Sequence, residues 1–136
     1  MNKQDPPTTF GVFKPVGHTL FAFHTQDQLQ TAMRSLAAMG FAAASMVQYS
    51  PQEMLLLADG ELMAAGPLAN FGYELDLLHH HKTLAQQGCG FLVVHAPGEA
   101  LANRVATLVA TLQPASAQHY GRFLIQDLTE TAPGAV

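Results

Sequence analysis

Apolar residues along the 136-residue chain fall into short blocks, some continuous and some recurring every three to four positions, separated by glycine, proline and small polar residues. Thr19-Leu20-Phe21-Ala22-Phe23 is apolar on both parities, which predicts a strand buried on both faces and ending at His24. Thr25 followed by Gln28 has the form of a capping box. Leu29, Ala32, Met33, Leu36 and Ala37 then recur at helical spacing, and Gly40 supplies a left-handed stop. Ala43 to Tyr49 alternates and predicts a short edge strand. Ser50-Pro51-Gln52-Glu53 sets a cap, a proline at the first helical position and a glutamate at the third, so a helix with Met54, Leu55, Leu57, Ala58 and Leu62 follows. Gly66-Pro67 breaks it. A second helix is expected from about Leu68 through Phe71, Leu75, Leu78 and Lys82 to Gln87, weakened by Gly72 and stopped by Gly88.

Phe91-Leu92-Val93-Val94 predicts a second central strand, and Gly98-Glu99 opens a helix with Leu101, Val105, Leu108, Val109 and Leu112 that ends before Pro114. His119 to Asp127 alternates and predicts a last edge strand. The order is strand, helix, strand, helix pair, strand, helix, strand. It fits an α+β domain with a ferredoxin-like four-stranded antiparallel sheet of order 4-1-3-2 and a two-helix insertion, about residues 51–87, between the second and third strands. A small parallel doubly wound sheet is the competing arrangement. The domain is expected over residues 18–130, with 1–17 and 131–136 as tails.

Composition narrows the function classes. The charged fraction of 12% is about half the usual share, so part of the surface is expected to be neutral and suited to self-association, most simply a homodimer. Six cations, Lys3, Lys14, Arg34, Lys82, Arg104 and Arg122, are scattered through a chain of net charge -4. Neither a nucleic-acid footprint nor a polybasic membrane anchor is expected from that distribution. A single cysteine, Cys89, allows no internal disulfide and points to a reducing compartment. With no apolar run of membrane-span length and a polar, proline-bearing start, a cytoplasmic location is expected.

The strand Leu20 to Phe23, the polar Thr25-Gln26-Asp27, Ala32 and Leu36, and Gly40-Phe41 ahead of Ala44-Ser45-Met46-Val47 together carry a resemblance. Over His18 to Ser50 the chain resembles the start of the bacterial heat-induced or general stress protein family. From Pro51 onward it is similar to proteobacterial proteins of unknown function, through Met54-Leu55, Leu57 to Leu62, Gly88-Cys89, Phe91 to Pro97 and Tyr120-Gly121-Arg122-Phe123. The resemblance implies a stress-associated role and brings no reaction, cofactor or catalytic residue with it.

Candidate chemistry follows from the expected strand order. In a 4-1-3-2 sheet the end of the first strand (His24) lies beside the start of the third (Cys89) and the start of the fourth (His119), so three groups of metal-ligand or nucleophile-and-base type share one rim. The helical insertion leaves and rejoins the sheet at that rim and is placed to roof it. The ordinary alternative is two surface histidines and a cysteine packed as a small apolar group. Cys89 and His95 lie at opposite ends of one strand, roughly 20 Å apart, and form no dyad. His95 is expected to face His18 at the other rim.

His79-His80-His81 cannot converge on one ion, because successive helical residues point about 100° apart. Asp76 is spaced to meet His79 or His80, and a metal site would need further ligands such as Glu74 or Asp59. The plain reading is a polar helix face titrating near neutrality. Gly60, Gly66 and Gly72 lack the lysine and the strand-turn-helix setting of a phosphate loop. Met54, Leu55, Leu56, Leu57, Leu62 and Met63 exceed what one helix face needs, which suits core packing first and a partner surface second. The sequence therefore leads to a binding or interaction protein without evident catalytic machinery or cofactor. A small-ligand or metal-binding regulatory domain around His24, Cys89 and His119 is the alternative, and an enzyme comes third.

Overall fold

A computed structural model describes residues 8–9, 12–13, 15–64, 73–121 and 125–128. In chain order the elements are β1 (Thr8–Thr9), β2 (Val12–Phe13), β3 (His18–Phe23), α1 (Gln26–Ala38), a 3-10 turn (Ala43–Ser45), β4 (Met46–Tyr49), α2 (Pro51–Ala64), α3 (Tyr73–Gln86), β5 (Gly90–His95), α4 (Glu99–Ala110), β6 (Ser116–Tyr120) and β7 (Ile125–Asp127). Five strands form one open sheet in the order β4-β5-β3-β6-β7, antiparallel at every junction, while β1 and β2 pair separately.

Local chemistry sets most of these boundaries. The Thr25 hydroxyl accepts from the Gln28 amide and the Gln28 side chain accepts from the Thr25 amide, so two orphan donors of α1 are satisfied reciprocally. Ser50 and Glu53 make the same exchange at the start of α2. Helix α1 closes with Gly40 at φ +105, the Gly40 amide on Ala37 and the Phe41 amide on Leu36. That is a Schellman arrangement with Phe41 packed back against the core. Helix α3 closes identically: Gly88 sits at φ +92, its amide reaches Ala85, and the Cys89 amide reaches Leu84. The Schellman turn thus fixes where Cys89 enters the sheet.

Both sheet faces are covered. One carries Phe21, Phe23, Leu92, Val94 and Ala117 against Leu29, Ala32 and Leu36 of α1 and Val105 and Val109 of α4. The other carries Leu20, Ala22, Tyr49, Phe91, Val93 and Tyr120 against Met54 of α2 and Leu77, Leu84 and Ala85 of α3. The molecule is therefore three layers, with β3 and β5 buried on both sides, as their continuous apolar runs require.

Four expectations change. The expected last edge strand, His119 to Asp127, is two antiparallel strands, so the sheet has five strands and β6 is interior. Its alternation passes through a reversal, which brings Tyr120 opposite Ile125; residues 122–124 lie outside the described residues. The strand expected over 43–49 begins only at Met46, because Ala43–Ser45 closes into a 3-10 turn with the Ser45 amide on Ala42; alanine and serine are weak strand formers. The helix pair, expected as a roof over the rim, packs along a whole sheet face, where its apolar residues meet Leu20, Phe91 and Val93 as well as Cys89.

Finally, part of the expected N-terminal tail belongs to the fold. β2 lies against α2 and α3, and Gly17 bonds to both Tyr120 and Ala96. Gly66-Pro67, Gly72 and the expected start of the second helix at Leu68 fall outside the described residues, as does the tail 131–136. No helix among the described residues is long and apolar enough to cross a membrane.

Candidate functional site

The cysteine and every histidine except His119 occupy three separate places. At the first rim His24 and Cys89 meet as expected, with Cys89 Sγ 3.8 Å from His24 Nδ1. His24 is exposed and Cys89 is buried. Burial pushes the thiol pKa up, so the sulfur at neutral pH is a protonated, weak donor to the imidazole and not an activated nucleophile.

His119 is not at this rim. β6 begins three residues earlier than the alternation suggests, so Ser116 stands opposite Ala22 and His119 stands opposite Thr19. Thr19 is five residues from His24, roughly 17 Å along an extended strand, and it faces the α1–α4 side. There Thr19 Oγ1 and His119 Nδ1 lie 2.9 Å apart, both buried, and burial lowers the pKa of His119. The expected three-residue cluster therefore reduces to a pair.

The second place is the opposite rim. His18 and His95 pair in register with ring centroids 4.9 Å apart, as the strand order implies. His18 Nδ1–H donates to the Val16 carbonyl at 3.1 Å. Partial burial is the main cause that lowers its pKa, opposed by that bond and reinforced by the facing imidazole.

The third place is the seam between α3 and the sheet. His79 and His80 are exposed, whereas His81 is covered on all sides at 1% exposure. His81 Nε2–H donates to Gln118 Oε1 at 3.1 Å, and Gln118 Nε2 donates in turn to Ser116 Oγ. Phe91 meets the imidazole edge-on, centroids 5.8 Å apart at 75°. Burial pushes the pKa of His81 down to about 4, with Gln118 acting in the opposite sense and His80 adding to the fall. This corrects the reading of the histidine run as one polar face titrating near neutrality. The signal was present in the sequence: Leu77, Leu78, His81, Leu84 and Ala85 form one buried stripe, three and four residues apart.

The supplementary metal ligands are not assembled. Asp59 is bound to Lys82 at 2.7 Å, a tie between α2 and α3. Asp76 is exposed, and the Glu74 side chain lies outside the described residues. Among the described residues no group of three or more His, Cys, Asp or Glu side chains could hold a metal ion. A shallow depression of about 390 Å³ between the end of α1 and α4 is lined by Met39, Asn103, Arg104, Thr107 and Leu108. Comparison with known proteins finds no matching family model, no matching curated protein and no matching solved structure.

Proposed function

We propose that the chain is a stress-associated binding or interaction protein that works as a cytoplasmic homodimer, with α2 as its contact surface. On this reading β6, β3, β5 and β4 are a ferredoxin-like core to which β7 and the α2–α3 layer are additions. The stress association rests on the resemblance carried by His18 to Ser50.

The observation that carries the contact surface is Leu56, 76% exposed on α2 between partly buried Leu55 and Leu57. One turn further along the same exposed face is Gly60, where an added methyl group would touch nothing within 4 Å. Glycine inside a helix costs about 1 kcal/mol relative to alanine, and no contact at Gly60 among the described residues requires it. In an isologous contact the same patch meets itself, so Leu56 of each copy seats over Gly60 of the other. Of the carboxylates near that patch, Glu53 bonds the Ser50 amide and Asp59 pairs with Lys82. The scattered cations favour such a protein partner over nucleic acid or a membrane. Sedimentation velocity of the wild type and of Leu56→Glu tests this: a dimer that the substitution dissociates is expected, and a wild-type monomer throughout overturns it.

A second reading keeps a small ligand or metal ion at the first rim, favoured by the 3.8 Å approach of Cys89 Sγ to His24 Nδ1. It predicts stoichiometric zinc in untagged protein that is lost in Cys89→Ala. Metal-free protein that also fails to take up added zinc removes it.

A further inference from the structure

Helix α3 meets the sheet through a buried polar contact set among Leu77, Leu84 and Ala85 of the helix and Leu20, Phe91 and Val93 of the sheet. His81 gives its Nε2–H to Gln118 and is packed edge-on against Phe91. Among the described residues, the groups that face the imidazole are His80 from its own helix, Phe91 from β5, and Gln118 from β6 with Ser116 behind it. From α2, Asp59 is turned to Lys82. No carboxylate among the described residues acts on the ring.

A neutral imidazole suits this seam, since its one N–H is bonded and its remaining nitrogen carries no proton. An imidazolium does not. It adds a second N–H and a full charge in an apolar setting, beside another histidine, and a buried unpaired charge is strongly disfavoured. The rest of the sheet does not depend on this contact. β3 is held by its ladders to β5 and β6 and by the α1–α4 core on the other face. The helix pair, in turn, is tied together by Asp59 and Lys82.

We propose that His81 is a proton-operated latch: a proton taken up by its buried imidazole releases α2 and α3 from the sheet as a unit and uncovers the apolar face of Leu20, Phe91 and Val93. The latch is independent of association through Leu56, and it makes acid the stimulus to which this fold responds. The depression of the His81 pKa from 6.5 to about 4 sets the size of the effect. The closed seam resists protonation, so opening becomes more favourable by on the order of a few hundredfold as the pH falls through that interval.

Peptide-resolved hydrogen exchange, corrected for intrinsic rate, tests the latch on the full chain between pH 7 and pH 4. Protection over residues 73–86 should fall by on the order of a hundredfold and stay at least tenfold below that of 18–23 and 90–95, which exchange only through global unfolding. In His81→Gln, which retains an N–H donor and cannot titrate, the fall over 73–86 should shrink at least tenfold. Retained protection over 73–86 at pH 4, equal protection over all three segments at that pH, or an unchanged response in His81→Gln overturns the proposal. If the variant does not fold, the wild-type imidazole is followed by NMR instead. Its titration midpoint must coincide with the opening of 73–86, and titration near 6.5 overturns the latch.

Discussion

Replacing Gln118 by leucine isolates the polar seam between α3 and the sheet. The two side chains are similar in volume, so the substitution leaves no large cavity and the cost is mainly that of hydrogen bonds. His81 Nε2–H loses its acceptor inside a fully covered site, and an orphaned buried donor costs about 1–3 kcal/mol. Ser116 loses the bond from Gln118, but its hydroxyl can turn, so only a net bond of about 0.5–1.5 kcal/mol is lost there. The expected destabilisation is therefore about 2–4 kcal/mol, a large fraction of the roughly 5–15 kcal/mol by which a domain is stable. Urea unfolding at pH 7 measures it as a lower midpoint at constant slope. His81→Leu combined with Gln118→Leu removes donor and acceptor together, so the double variant should be less destabilised than the sum of the singles by about 1 kcal/mol or more. A loss below about 0.5 kcal/mol for Gln118→Leu, or strict additivity in the cycle, refutes the view that this bond holds the seam.

Stability should fall as pH drops from 6.5 towards 4. His81 is neutral in both states above that window, and the unfolded chain takes up the proton first on acidification; the loss reaches roughly 3 kcal/mol from the shift to about 4. His18 and His119 are shifted in the same direction and add to it, so urea midpoints of His81→Gln should show a shallower pH dependence, not a flat one. Gly88→Ala forces a side chain into the left-handed conformation that closes α3 and should lower stability by about 1–2 kcal/mol in thermal unfolding. Gly60→Ala should act in opposite directions on two readouts: thermal unfolding of the dissociated chain gains about 0.5–1 kcal/mol, while the dimer dissociation constant rises because the seat for Leu56 is filled.

What could be read from the chain divides along physical lines. Elements set by neighbouring residues were legible: the exchanges between Thr25 and Gln28 and between Ser50 and Glu53, the left-handed stops at Gly40 and Gly88, and the doubly buried runs of β3 and β5. The approach of Cys89 to His24 and of His95 to His18 followed from antiparallel pairing of those two runs. β6 was not legible because Ser116 and Gln118 are polar and resemble loop residues. Their burial is made possible by each other and by His81, which lies 37 residues from Gln118 in sequence. Missing those residues displaced the start of the strand, and that displacement alone moved His119 from the His24 rim to a bond with Thr19. His81 itself was hidden by its two exposed neighbours, although its place in the leucine stripe of α3 gave it away.

The central functional claim is that α2 presents a self-complementary contact made by Leu56 and Gly60. Each copy buries one leucine there, worth about 1.5–3 kcal/mol when fully covered, and glutamate at that position forces each copy to bury an unpaired charge in the contact. Sedimentation velocity at pH 7 over a hundredfold range of protein concentration is the most direct measurement. The wild type should sediment as a dimer at the upper concentrations, and Leu56→Glu should remain monomeric with an unchanged circular dichroism spectrum. A wild type that stays monomeric across the whole range, or a Leu56→Glu variant that dimerises as well as the wild type, contradicts the claim.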